Sequence, residues 1–182
     1  QLILGTNNSS NTLTDDTYRW IGGNGSWATA GNWQPTRSTL KTSDVLLFDN
    51  FNGGPVTVSN IPTQTVGRIE VTNDAVVTWQ STSAVTLTLI DEVNLEAGSS
   101  LALSGTSAIT MQFASGATGL IGGTMSMLGS AAHRLSTADA QAVRFESGAV
   151  FVQEAPGPVF GTTGIPDAVV FGSGSMFAMK SA

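Results

Sequence analysis

Short period-two runs, a recurring glycine corner and a scarcity of charge together predict an all-β chain. The predicted fold is a right-handed parallel β-helix closed at its N-terminal end by a Trp/Gly-rich cap. Charged residues make up 11 % of the 182 residues, against roughly 25 % in an ordinary globular protein. Ser, Thr and Gly together supply 64 of the 182, and hydrophobic residues reach 41 %. That combination suits a solenoid: the apolar residues suffice for a continuous core, and flat stacked faces of Thr, Ser and Gly leave few positions that need a charge.

Taken in order, residues 1–16 are polar and read as a leader strand with a flexible segment. Residues 17–54 form the cap, with three of the four Trp and the single Tyr. Residues 55–182 read as solenoid coils. The runs at 55–58, 68–71, 76–79, 85–89, 93–95, 101–103, 109–113, 125–127, 143–145, 150–152, 169–171 and 176–177 are short and largely alternating, as expected of strands with one buried face. Their β-branched content agrees. The segment TADAQA at 137–142 reads as one helical turn with Thr137 as its N-cap.

Four segments starting at Val93, Met111, Val143 and Val169 share the pattern apolar-x-(Leu/Phe)-x-(Ala/Ser)-Gly-(Ser/Ala). They align Gly98, Gly116, Gly148 and Gly174 as repeat corners, at steps of 18, 32 and 26 residues. Glycine suits a corner because it tolerates positive φ without a Cβ clash. One coil cannot bury its apolar side chains alone, whereas stacked coils share a core and pair their backbone groups with their neighbours. An antiparallel β-sandwich is the alternative. It calls for tight Asn-Gly or Asp-Gly hairpins between strands, and Asn24-Gly25 lies in the Trp block instead.

Composition also excludes whole classes of function. Without Cys and with one His, the chain has no disulfide scaffold, Cys-ligated zinc or CxxCH haem. A net charge of −6 and a pI near 4.4 argue against nucleic acid as a partner. No run approaches the ~18–20 apolar residues of a transmembrane segment. Gln1 is compatible with removal of a signal peptide. The C-terminal run after Phe177 carries no capping features, so the chain reads as the N-terminal piece of a longer one.

The segment YRWIGGNGSW at 18–27, followed by AGNW at 30–33 and SDVLLF at 43–48, resembles the W-x-G-G-x-G-x-W…N-W…D-x-(I/V/L)-x-F opening of large Bacteroidetes cell-surface proteins. Those proteins are exported by the type 9 secretion system. The segment at 132–151 is similar to a recurring element of the same proteins. The resemblance spans roughly residues 17–177 and lacks the family's C-terminal sorting domain. It implies a β-helix on the surface of a Gram-negative bacterium or outside it. The implied partners are the type 9 translocon or other outer-membrane proteins. It implies no reaction.

The residues expected to build the cap are Trp20, Gly22, Gly23, Gly25, Trp27, Asn32, Trp33, Asp44 and Phe48. The three indoles read either as a hydrophobic plug or as a platform for surface glycans. Gly22 to Gly25 is followed by no Lys, so it is no phosphate loop. Asp44 or Asp49 could touch calcium near the cap, but a turn-forming Asp is the plainer reading. Asp15/Asp16 and Asp91/Glu92 are the other acidic pairs. Arg68 with Glu70, and Arg144 with Glu146, read as surface charge pairs rather than the carboxylate cluster of a lyase or glycosidase. His133 has no nominated partner. The Thr57/Ser59 and Thr86/Thr88 pairs are too few for an ice-binding array. No catalytic, cofactor-binding or metal-ligating residue is assigned. The expected function is a non-enzymatic secreted or surface stalk or adhesin. The alternative is the N-terminal part of a carbohydrate-active β-helix enzyme.

Overall fold

Alternating side chains force each short run to expose one face and bury the other, and a coil of such runs closes only when others stack on it. A computed structural model describes residues 17–160 and 167–180, and it shows that stack, a β-solenoid of about seven coils. The leader expectation at 1–16 lies outside the described residues. The first coil contains β1 (Thr17–Trp20) and β2 (Gly25–Ser26). A 3-10 segment (Ala30–Asn32) then leads into β3 (Trp33–Gln34), which lies antiparallel beside β1. The second coil is β4 (Val45–Phe48) with β5 (Val56–Ser59), and the third is β6 (Gln64–Val71) with β7 (Val76–Gln80). The fourth is β8 (Val85–Leu95) with β9 (Ser100–Ser104). The fifth has three strands, β10 (Ile109–Phe113), β11 (Thr118–Ile121) and β12 (Thr124–Met127). So does the sixth, with β13 (Arg134–Thr137), β14 (Val143–Phe145) and β15 (Val150–Gln153). The seventh adds a bridge from Phe160 to Leu135, then β16 (Val169–Phe171) and β17 (Met176–Met179).

Apart from β1 with β3, the described strand pairings are parallel. This is the predicted β-helix and not the sandwich. Three faces rise along the axis. The first comprises the front halves of β6 and β8, then β10 and β13. The second runs through β1, β4, the rear halves of β6 and β8, β11, β14 and β16. The third is β2, β5, β7, β9, β12, β15 and β17. At about 4.8 Å per layer, seven coils span roughly 29 Å.

The core is a set of columns. Trp20 leads, through the β1–β4 register, to Phe48, Val71, Leu95, Ile121, Phe145 and Phe171 on the second face. Val56, Val77, Leu101, Met125, Phe151 and Phe177 stack on the third. Successive members from Val71 onward are 24 or 26 residues apart. Composition changes at residue 55, but the hydrogen bonding does not: β1 and β4, inside the cap block, are already strands of the second face.

That coil length revises the repeat. Gly98, Gly148 and Gly174 turn the corner from the second face to the third, whereas Gly116 turns the corner from the first to the second. The two corners looked alike because they use the same turn. Gly98, Gly116, Gly148 and Gly174 have φ between +84° and +88°, and in each case the next N–H bonds the carbonyl three residues back, at 3.0–3.1 Å. That is the signature of a type II turn, which needs positive φ at its third residue. Local turn chemistry therefore repeats more often than the coil does.

The helical turn expected at 137–142 is absent. Thr137 ends β13, and its hydroxyl accepts the Asp139 N–H at 3.0 Å and donates to the Asp139 carbonyl at 3.1 Å. Gln141 takes φ +56°, which no right-handed helix can contain. The need to reach β14 in register overrides the helix propensity of the alanines.

Candidate functional site

The densest cluster of chemically distinctive side chains is the N-terminal cap. β1 delivers Trp20, β4 delivers Phe48, and the turn-back through β3 delivers Trp33. Trp27 follows β2. Trp20, Trp27 and Trp33 are buried, and they meet edge to face: Trp20–Trp33 centroids are 4.9 Å apart and Trp27–Trp33 are 5.3 Å apart. Each indole N–H has an acceptor: Gly23 O for Trp20 at 3.0 Å, Gln64 Oε1 for Trp27 at 3.1 Å and Trp27 O for Trp33 at 3.0 Å. The arrangement is the hydrophobic plug. A sugar would need an open ring face, and these faces are covered.

The glycines of the cap serve Asn32. A Cβ on Gly22 would lie 2.5 Å from Asn32 Cγ, and one on Gly25 would lie 2.7 Å from its Nδ2. Asn32 in turn donates from Nδ2 to Ser26 O at 2.9 Å. Gly23, at φ +55°, makes the turn between β1 and β2.

Asp44 is fully buried, and its partner is Arg37, which the motif did not single out. Arg37 Nε donates to Asp44 Oδ2 at 2.8 Å, and Nη2 donates to the same oxygen. The guanidinium also sits 5.5 Å from the Trp33 ring centroid, 5.7 Å from Tyr18 and 5.9 Å from Trp27. Asp44 Oδ2 accepts the Lys41 N–H at 3.2 Å, and the Asp44 carbonyl accepts the N–H groups of Gly67 and Arg68. One aspartate thus closes a turn, neutralises a buried cation and ties the cap to the third coil. Trp79 joins the cluster from β7, with its ring 5.7 Å from Trp27. In the sequence it is only one more residue of an alternating run. Arg37 carries no local signal either, since a lone Arg in a polar stretch reads as solvated.

Eight other carboxylates also have structural partners. Asp49 pairs with Arg19 at 2.9 Å. Glu96 accepts the Asn73 N–H at 2.7 Å, so it caps the corner of the coil before it. Asp139 does the same for the Gly116 N–H and the Ser115 hydroxyl. Arg144 pairs with Glu146 at 2.7 Å and Lys180 with Glu154 at 2.9 Å. Arg68 gathers three: Asp91 at 2.8 Å, Glu70 at 3.5 Å and Glu92 at 3.6 Å. The Asp91 hydrogen bond, helped by the attraction of Asp91 and Glu92, raises the Arg68 pKa further and outweighs the opposing effect of desolvation. The sequence joined Arg68 to Glu70 alone; stacking β6 on β8 brings the other two. Asp15 and Asp16 lie outside the described residues. No helix among the described residues is long and apolar enough to cross a membrane. Comparison of the chain with protein-family models, with curated proteins and with solved structures finds no match.

Proposed function

We propose that this chain is a non-enzymatic β-solenoid stalk or adhesin, secreted or held at a bacterial cell surface as a cargo of the type 9 secretion system. The observation that carries the structural part is the register. Inward columns run through coil after coil, while most of the described carboxylates cap corners or neutralise neighbouring Arg and Lys side chains. Such a rod spaces or presents surfaces, and its outer faces of Thr, Ser and Gln are suited to glycan or protein contact. The cap motif's resemblance to exported surface proteins supports the location. Glycan arrays and surface-adhesion assays on the purified chain test the adhesin role, with saturable binding expected. Binding to no glycan, protein or surface overturns it. Correct placement of the protein in a strain lacking the type 9 translocon overturns the export route.

A second reading rests on Arg68 with Glu70, Asp91 and Glu92, a basic group among carboxylates on one outer corner. It assigns a carbohydrate-active role. Release of unsaturated uronides or reducing ends from acidic polysaccharides, lost in Arg68→Ala, would favour it over the stalk.

A further inference from the structure

His133 is the chain's single histidine and is fully buried, at the corner between β12 and β13. Its backbone breaks the pattern of the first face. One coil earlier, the N–H of Val85 bonds the carbonyl of Ala108, the residue before Ile109, at 2.9 Å. The equivalent partner for the Ile109 N–H would be the carbonyl of Ala132. The chain instead bends tightly there, with the His133 N–H bonded to Ala131 O at 3.0 Å, a three-residue γ-type closure. The Ile109 N–H is met by the imidazole, with Nδ1 at 3.1 Å. A side chain thus completes a backbone rung.

That hydrogen bond dictates the charge state. Nδ1 accepts only while it keeps its lone pair, so the ring is neutral with its proton on Nε2. Nε2 is buried without a hydrogen-bond partner. The corners at 105–108 and 128–132 carry no titratable residue. On the remaining neighbouring elements, Arg134 occupies the outward column with Thr110, and Glu154 is held by Lys180.

We propose that His133 is an acid-sensitive latch between the fifth and sixth coils, closed while its imidazole is neutral and opened when protonation sets two donors, Nδ1–H and the Ile109 N–H, against each other. Desolvation lowers the His133 pKa from its ordinary 6.5, and the Leu128 backbone pulls less strongly the other way. The sign of the pH dependence follows. An opened coil takes up the proton near pH 6.5, whereas the closed coil refuses it until the pH reaches the lower folded value. Closure is therefore complete above 6.5 and weakens as the pH falls through that window. The site of opening is the β10–β13 rung.

Amide hydrogen exchange across pH 7 to 4 tests the latch. Protection factors at Ile109 and along β10 and β13 fall about tenfold per pH unit between 6.5 and the folded pKa, while those in β4 and β6 stay level. His133→Gln, which offers an accepting oxygen and cannot be protonated there, removes the selective loss. Should that variant not fold, the wild-type imidazole decides alone, because a single histidine gives unambiguous NMR resonances. An Nδ1 without a proton at neutral pH, and titration only below 6.5 together with loss of β10–β13 protection, supports the latch. Titration at or above 6.5 in the folded chain, or protection lost evenly along the rod, overturns it.

Discussion

The first and the seventh coils treat the same columns in opposite ways. At the N-terminal end the columns finish under Trp20, Trp27 and Trp33, all at most 2 % exposed, and β3 lies antiparallel across the sheet edge. In the seventh coil the corresponding inward positions are Phe171, Phe177 and Met179, exposed by 37 %, 42 % and 72 %. The rings continue the columns faithfully: Phe145 stacks on Phe171 at 4.7 Å, and Phe151 stacks on Phe177 at 5.5 Å. The difference shows that register alone buries nothing in a solenoid. An inward residue is buried by the coil beyond it, and a layer without one needs a roof of different chemistry. Large rings whose N–H groups find internal acceptors provide that roof.

The comparison can be broken at several points. Asp44→Ala leaves the Arg37 cation buried without its partner and should cost about 3–5 kcal/mol, read as a lower midpoint in urea unfolding. Glu146→Gln, at a half-exposed ion pair with Arg144, should move that midpoint little. Equal losses would mean that the cap is no more tightly bound than the rod's surface.

Trp33→Ala should lose about 3–5 kcal/mol by emptying the centre of the roof. Phe177→Ala is expected to lose about 1 kcal/mol or less, because much of that ring already faces solvent. A Phe177 loss matching that of Trp33 would show the first and the seventh coils equally packed. Between those two losses lies the effect of close stacking within the rod. A Cβ on Gly123 would sit 2.2 Å from Ser99 O and 2.5 Å from Glu96 O, while one on Gly31 in the cap meets nothing within 4 Å. Gly123→Ala should therefore cost about 1–3 kcal/mol and Gly31→Ala almost nothing, by thermal unfolding of both variants.

Where an inward position is apolar and its neighbours are polar, the strand was legible: the runs at 109–113, 143–145 and 169–171 coincide with β10, β14 and β16. The four strands of the cap block, β1 to β4, lay outside the runs read from the sequence, and so did two within the coils, β11 and β13. In β11 the inward residues are Gly119, where a Cβ would lie 3.1–3.2 Å from Val143 and the Phe113 ring, and Ile121, while the exposed Leu120 sits between them, so the apolar residues do not alternate. In β13, Leu135, Ser136 and Thr137 are all buried, and no alternation remains to be read. His133, beside it, looked like an ordinary loop histidine because its role depends on an amide 24 residues earlier.

The sequence by itself determined the alternating strands of the coils, the turn chemistry of the glycine corners and the aromatic character of the cap. All three follow from neighbours along the chain: alternation, tolerance of positive φ, and a concentration of indoles. The tertiary structure decided which corners are equivalent, that Arg37 is the counter-ion of Asp44, and that an imidazole completes a rung. The corners and the imidazole depend on which coil stacks on which, a relation set by packing across 24 to 26 residues, and the Arg37–Asp44 pair, seven residues apart, depends on the burial of its loop against the cap rings rather than on any local pattern.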